Sequence, residues 1–284
     1  MPFTLSHPAA VLPLLRGATG RGALVVSGLV AGSMAPDVPF FADSLLPGAY
    51  GCGGLTHRWW AVPTADVLLA GGLVALWHGL VREPVVALLP ARWAGAAQVL
   101  TAPSGGRNRR IGWFAVSAAV GAATHVGWDA FTHEGRAGVR MLPVLDRRLA
   151  GVPLYTVLQY GTSLLGLACV ARRAAHAVAG AAVGAAGGAR QAGAAGPGPG
   201  ARRTGVAMLA AATAAGVVHR LARAEREPVA EFCFGAGAGF AVGATVYAAA
   251  ARLRPAGLRA AGFRPAGLRP ARPTSRSGAG RAPR

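Results

Sequence analysis

The chain has 284 residues, 53% of them hydrophobic, a mean hydropathy of +0.41 and a formal charge of +19. Apolar residues at that level, gathered in blocks, exclude an ordinary soluble domain and point to an integral membrane protein. All 29 basic residues are arginines; they gather at the ends of apolar blocks and in the C-terminal tail, where membrane topology accounts for them without a nucleic-acid partner. The three cysteines show no CxxC spacing, so neither a disulfide framework nor a zinc ribbon is indicated.

Residues 1–15, MPFTLSHPAAVLPLL, lack the basic start and cleavage site of a secretory signal. Ser6 is placed to cap a short helix beginning at Pro8. A helix of about ten residues is half the length of a bilayer crossing, so it is expected to be interfacial or re-entrant. Gly22 to Ala35 is the first longer apolar run and stops at Pro36-Asp37-Val38-Pro39, where two prolines fix the backbone around Asp37. A loop containing Asp43 leads to Thr56-His57-Arg58-Trp59-Trp60. The paired tryptophans read as an interfacial anchor, which leaves His57 unexplained. Val62 to Val81, Ile111 to Phe131 and Leu154 to Val170 read as further crossings. On the last of these Tyr155, Gln159 and Ser163 step by four along one polar face. Gly205 to Leu221 and Val229 to Ala251 form a hairpin of small residues that pack closely in lipid.

The expected fold is therefore all-α, a polytopic transmembrane bundle of about six helices with a short N-terminal helix. Residues 1–173 make a membrane core, 174–204 an Ala/Gly/Pro-rich linker, 205–251 the hairpin, and 252–284 a disordered Arg/Pro-rich tail.

Chemistry concentrates at the end of the third long run, in His125-x3-Asp129-x3-His133. Each step of four rotates only about 40°, so the three side chains share one helix face. Imidazoles and a carboxylate converging from one side hold a divalent ion, and ionisable groups at membrane depth are costly enough to mark function. The bland alternative is a polar stripe against a neighbouring helix. His7 alone reads as a helix-start residue, Asp37 as a turn residue and His57 as interfacial.

Placing Arg16, Arg21, Arg82, Arg92, the 107–110 cluster, Arg172, Arg173, Arg202, Arg203 and the tail in the cytoplasm lets each apolar run cross once. His7, Asp37, His57, His125, Asp129 and His133 then converge on the outer boundary of the plasma membrane. Arg136, Arg140, Arg147, Arg148 and the 220–226 group run against this path. Four imidazoles and two carboxylates suit zinc foremost, then manganese, iron or magnesium.

MPFTLSHPAAVLPLL, LVAGSMAPDVPFF at 29–41, Thr56-His57, THVGWDAFTH at 124–133 and LYTVLQYGTSLLG at 154–166 together resemble an uncharacterised bacterial integral-membrane family of unknown function, over residues 1–172 and, less specifically, the later hairpin. The motif order is similar to that of inner-membrane metal-dependent hydrolases, and more remotely to zinc-dependent phospholipase C and related zinc nucleases. That resemblance implies a helical site for phosphodiester hydrolysis, with His7, Asp37, His57, His125, Asp129 and His133 matching in order. The chain departs from the pattern in having no later H-x3-E and no N-terminal tryptophan ligand, which implies one or two ions, not three.

The expected function is a membrane-embedded metal-dependent hydrolase of a phosphoester or lipid ester, with membrane lipid and a small-molecule or lipid substrate as partners. Asp37, His57, His125 and Asp129 hold the principal ion, His7 and His133 bind a second ion or act as acid and base, and Gln159 and Tyr155 orient substrate. A transporter would need polar residues continuing across the bilayer. A scaffold would rely on the arginine tail meeting anionic lipid or nucleic acid.

Overall fold

The computed structural model describes residues 3–16, 19–102, 108–187, 197–223 and 227–253. These residues are almost entirely helical. Two short antiparallel hairpins interrupt them: β1–β2 (Leu15–Arg16 with Thr19–Gly20) and β3–β4 (Arg148–Leu149 with Val152–Pro153). The helices in chain order are α1 (Pro8–Val11), α2 (Val26–Gly32), α3 (Val38–Ala42), α4 (Gly53–Thr56), α5 (Ala65–Leu76), α6 (Arg82–Val86), α7 (Ala91–Leu100), α8 (Asn108–Thr132), α9 (Ala137–Met141), α10 (Leu154–Gly187), α11 (Pro199–Arg223) and α12 (Pro228–Leu253).

Four stretches are long and apolar enough to cross a membrane: Ala65–Val86, Leu154–Ala181, Pro199–Arg223 and Pro228–Leu253. The chain thus has the build of a multi-pass membrane protein. The first stretch joins α5 to α6 through a π turn, Trp77–Val81. Pro84 explains the widening, because it has no N–H to donate and its ring would strike the carbonyl of Leu80 in a regular helix. Proline opens α11 and α12, where the missing N–H belongs to an end that has no partner anyway.

Two expectations are corrected. Gly22 to Ala35 does not cross as one helix: only Val26–Gly32 is α-helical, because a turn at Gly22 (φ 61°), just after the β1–β2 hairpin, takes up the start of the run and a 3₁₀ turn begins at its end, Ala35. Seven residues are about a third of a crossing. The N-terminal segment does begin a helix at Pro8, yet Ser6 does not cap it. Its hydroxyl donates to the Phe3 carbonyl, and His7 is the N-cap residue. Helix also occupies the first part of the 174–204 segment, since α10 runs on to Gly187. The tail from 254 onward lies outside the described residues.

The core that positions the site is the crossing of α2 and α8. A Cβ on Gly32 would stand 2.1 Å from the Ala118 carbonyl oxygen, and one on Gly121 would stand 2.2 Å from that of Leu29. Backbones approach this closely only through small residues, the packing that helices use in lipid. Gly121→Ala is therefore expected to push α2 off α8. The obstacle is backbone that cannot rotate away, so the expected cost is about 1–3 kcal/mol. Thermal unfolding in detergent measures it, and an unchanged midpoint counts against the tight crossing.

Candidate metal centre

Asp37 closes the 3₁₀ turn Ala35–Asp37 after α2, where Pro36 limits the backbone. His57 is the C-cap of α4, and His125 and Asp129 sit one turn apart on α8. All four side chains are buried, and their ligand atoms lie within 4.8 Å of one another. Asp37 Oδ1 is 3.5 Å from His57 Nε2 and 3.4 Å from His125 Nε2. Asp129 Oδ2 is 3.4 Å and 3.6 Å from the same two nitrogens, which are themselves 3.3 Å apart. A tetrahedral ion with bonds of ~2.1 Å holds its ligand atoms about 3.4 Å apart. Five of the six edges have that length.

The hydrogen bonds fix where the protons are. His125 Nδ1 lies 2.8 Å from the Ser33 carbonyl and His57 Nδ1 lies 2.8 Å from that of Gly53. A carbonyl oxygen only accepts, so both Nδ1 atoms carry hydrogen and both Nε2 lone pairs face the centre. Two bare nitrogens at 3.3 Å repel unless a cation or a proton lies between them. Burial alone would lower the basicity of His57, but the carboxylates of Asp129 and Asp37 outweigh it and raise its pKa above the ordinary value. Two buried carboxylates thus demand positive charge at this point. A divalent ion with two carboxylates and two neutral imidazoles would make the cluster neutral, which is the condition for burying it. Asp37 Oδ1 makes no hydrogen bond among the described residues, while its Oδ2 accepts one from the Thr4 hydroxyl.

The other expected site residues surround this core. His7 stacks flat on His125, with ring centroids 3.5 Å apart, and its Nε2 is 3.7 Å from Asp129 Oδ1. Burial and the neighbouring His125 hold the His7 imidazole well below its ordinary pKa. His133 lies on the other side, Nδ1 3.7 Å from Asp129 Oδ2 and Nε2 3.1 Å from the Gln159 amide nitrogen. Burial pushes His133 down to about 4, so it too is neutral. All six expected ligands therefore meet, but only four stand at coordinating distances from one point. Tyr155 is half-buried one turn before Gln159. Ser163 uses its hydroxyl on the Gln159 carbonyl.

The N-terminal turn reaches the site because α10 holds it: Phe3 packs edge-on against Tyr160, and Gly166 leaves room for Ser6. Thr4 and the carbonyls of Ser33 and Gly53 escaped the reading of the sequence. A backbone acceptor leaves no mark in sequence, and the only signal for Thr4 was its place one turn before His7.

A family model described as a domain of unknown function (DUF4184) matches residues 1–249. No curated protein and no solved structure matches the chain. The comparison agrees with the uncharacterised family expected from the sequence and lends nothing to the likeness to hydrolases.

Proposed function

The chain belongs to the DUF4184 family of unknown function, and from that premise we propose that it is a membrane-embedded, zinc-dependent hydrolase of a phosphoester or lipid ester. The observation that carries this is the near-tetrahedral set Asp37, His57, His125 and Asp129 with a neutral, partly exposed histidine beside it. The edge lengths and the mixed nitrogen and oxygen donors favour zinc over magnesium or calcium, which prefer all-oxygen sites. A bound ion of this kind supplies Lewis-acid polarisation of a phosphoryl or carbonyl oxygen.

The chain's own groups do the rest. His133, neutral and 27% exposed, takes up or gives a proton at the mouth of the centre. Gln159 fixes its ring by meeting Nε2, which presents Nδ1 to Asp129. His7 closes the inner side of the site by stacking on His125 and facing Asp129. We place the centre at the outer boundary of the plasma membrane, with the tail in the cytoplasm. The arginine distribution supports that path. Arg220 and Arg223, which ran against it, are occupied by Asp43 and carry little weight as topology signals.

A second reading has an observation in its favour. Four protein ligands fill a tetrahedron, as in structural zinc sites, whereas catalytic sites keep a position open. His133→Ala separates the two. In detergent-purified protein that retains its ion, the variant is expected to lose at least about a hundredfold in hydrolysis of a phosphoester lipid, the lower range for a general acid–base group. Metal retention with no turnover by either protein favours the structural reading.

A further inference from the structure

Between α8 and α10 the chain folds into a projecting segment, residues 136–153. Its inner side is anchored. Val139 and Leu145 are buried, and Gly138 packs so closely that a Cβ would meet the Phe131 ring at 2.6 Å and the Ala130 carbonyl at 2.7 Å. This seats α9 directly on the turn that carries Asp129. The outer side is apolar as well: Met141 is 75% exposed, Leu149 62%, and Leu142, Val144 and Val152 are also exposed. Leu149 and Val152 flank a two-residue turn whose central residues, Ala150 and Gly151, both have positive φ, as a tight type I′ hairpin requires.

Arginines interleave with these side chains. The segment holds Arg136, Arg140, Arg147 and Arg148 against one carboxylate, Asp146. Arg148 donates to the Gly151 carbonyl, while Arg140 and Arg147 are exposed and form no ion pair with the described residues. The apolar stretch of α10 begins at the next residue, Leu154, so the segment stands at the end of a candidate crossing, where lipid headgroups lie. Its first neighbour in the chain is the mouth of the metal centre, since the Arg136 amide donates to the His133 carbonyl.

We infer that residues 136–153 are a headgroup platform for anionic phospholipid: Met141, Leu142, Val144, Leu149 and Val152 enter the boundary between headgroups and acyl chains, and Arg140 and Arg147 grip the lipid phosphate. A second copy of the chain is the poorer occupant, because pairing this face with itself brings like charges together, whereas anionic headgroups supply the opposite charge. The platform also explains why these arginines run against the distribution of the others. That the lipid held here is the substrate class rests on the hydrolase reading; that it binds does not.

The test uses the full chain in phosphatidylcholine nanodiscs carrying spin-labelled phosphatidylglycerol or spin-labelled phosphatidylcholine, with metal content measured alongside. The intact protein is expected to immobilise the anionic lipid preferentially. Arg140→Gln with Arg147→Gln should cut that preference by about fivefold for each arginine removed, with metal content unchanged. An unchanged preference overturns the platform, as does rapid cross-linking between copies through Leu149→Cys. A lost preference with no turnover by either protein keeps the platform and sinks the hydrolase reading instead.

Discussion

Asp129→Asn is expected to empty the metal centre. The substitution keeps the shape of the side chain but removes one of the two charges that make an ion in this pocket neutral overall. It also replaces half of a group that serves several partners: Oδ2 stands 3.4, 3.6 and 3.7 Å from imidazole nitrogens of His57, His125 and His133, and Oδ1 faces His7. Loss of an outer-shell partner costs about 10- to 100-fold in metal affinity, and loss of a charged ligand should exceed that. Elemental analysis of the dialysed, detergent-purified variant should therefore find only background metal. His7→Gln gives the contrast: His7 stands outside the four residues whose ligand atoms lie within 4.8 Å of one another and faces only the second oxygen of Asp129, so that variant should keep the metal with weakened affinity. Asp146→Asn, exposed and outside the cluster, should change nothing. A full complement of metal in Asp129→Asn would remove the basis for any metal-dependent reading.

Which parts of this centre the sequence made legible follows from how each residue reaches it. His125, Asp129 and His133 share a helix face by periodicity alone, and a 25-residue helix that ends at Thr132, one residue before His133, carries that relation to the site. Asp37 and His57 lie on short turns with no period, so chemical type, flanking residues and the order of the motifs had to mark them out. The crossing that brings them to α8 depends on Gly32 and Gly121, whose effect is to leave space, and empty space carries no pattern of its own. The apolar run before Asp37 misled for a related reason. Hydropathy counts how apolar a run is, but not that its first residues are spent in a turn at Gly22 before the helix starts at Val26. Arg220 was read as a topology signal because its partner, Asp43, lies 177 positions away in the chain.

That partnership makes Arg220→Ala the variant with the largest expected effect on stability. Arg220 is fully buried on α11, with Nη1 2.7 Å from Asp43 Oδ2 and Nε 2.6 Å from Glu231 Oε2 on α12. Truncating it takes a buried cation from two buried carboxylates, and breaking a buried pair in this way costs about 3–5 kcal/mol. Arg223, partly exposed and also on Asp43, should cost under about 1 kcal/mol when truncated. The unfolding midpoint in detergent should fall by roughly 10 °C for Arg220→Ala and little for Arg223→Ala. Equal midpoints for the two variants would overturn the assignment.

Burial opposes ionisation of Asp43, yet the Tyr50 and Gly48 amides and the Arg223 and Arg220 guanidiniums hold its carboxyl below the ordinary value. A depressed carboxylate stabilises fully above its unfolded-state pKa of about 3.9, and that contribution is lost as the pH falls through the lower folded-state value. The difference between the intact protein and Arg220→Ala should therefore persist at neutral pH and shrink only in that acid range. The clamp also bears on the metal centre: Arg220 lies over Phe234, Phe234 packs on Phe40, and Phe40 backs His57 at 5.5 Å. Releasing the hairpin should loosen His57, so Arg220→Ala is expected to bind the ion more weakly although it touches none of the ligands.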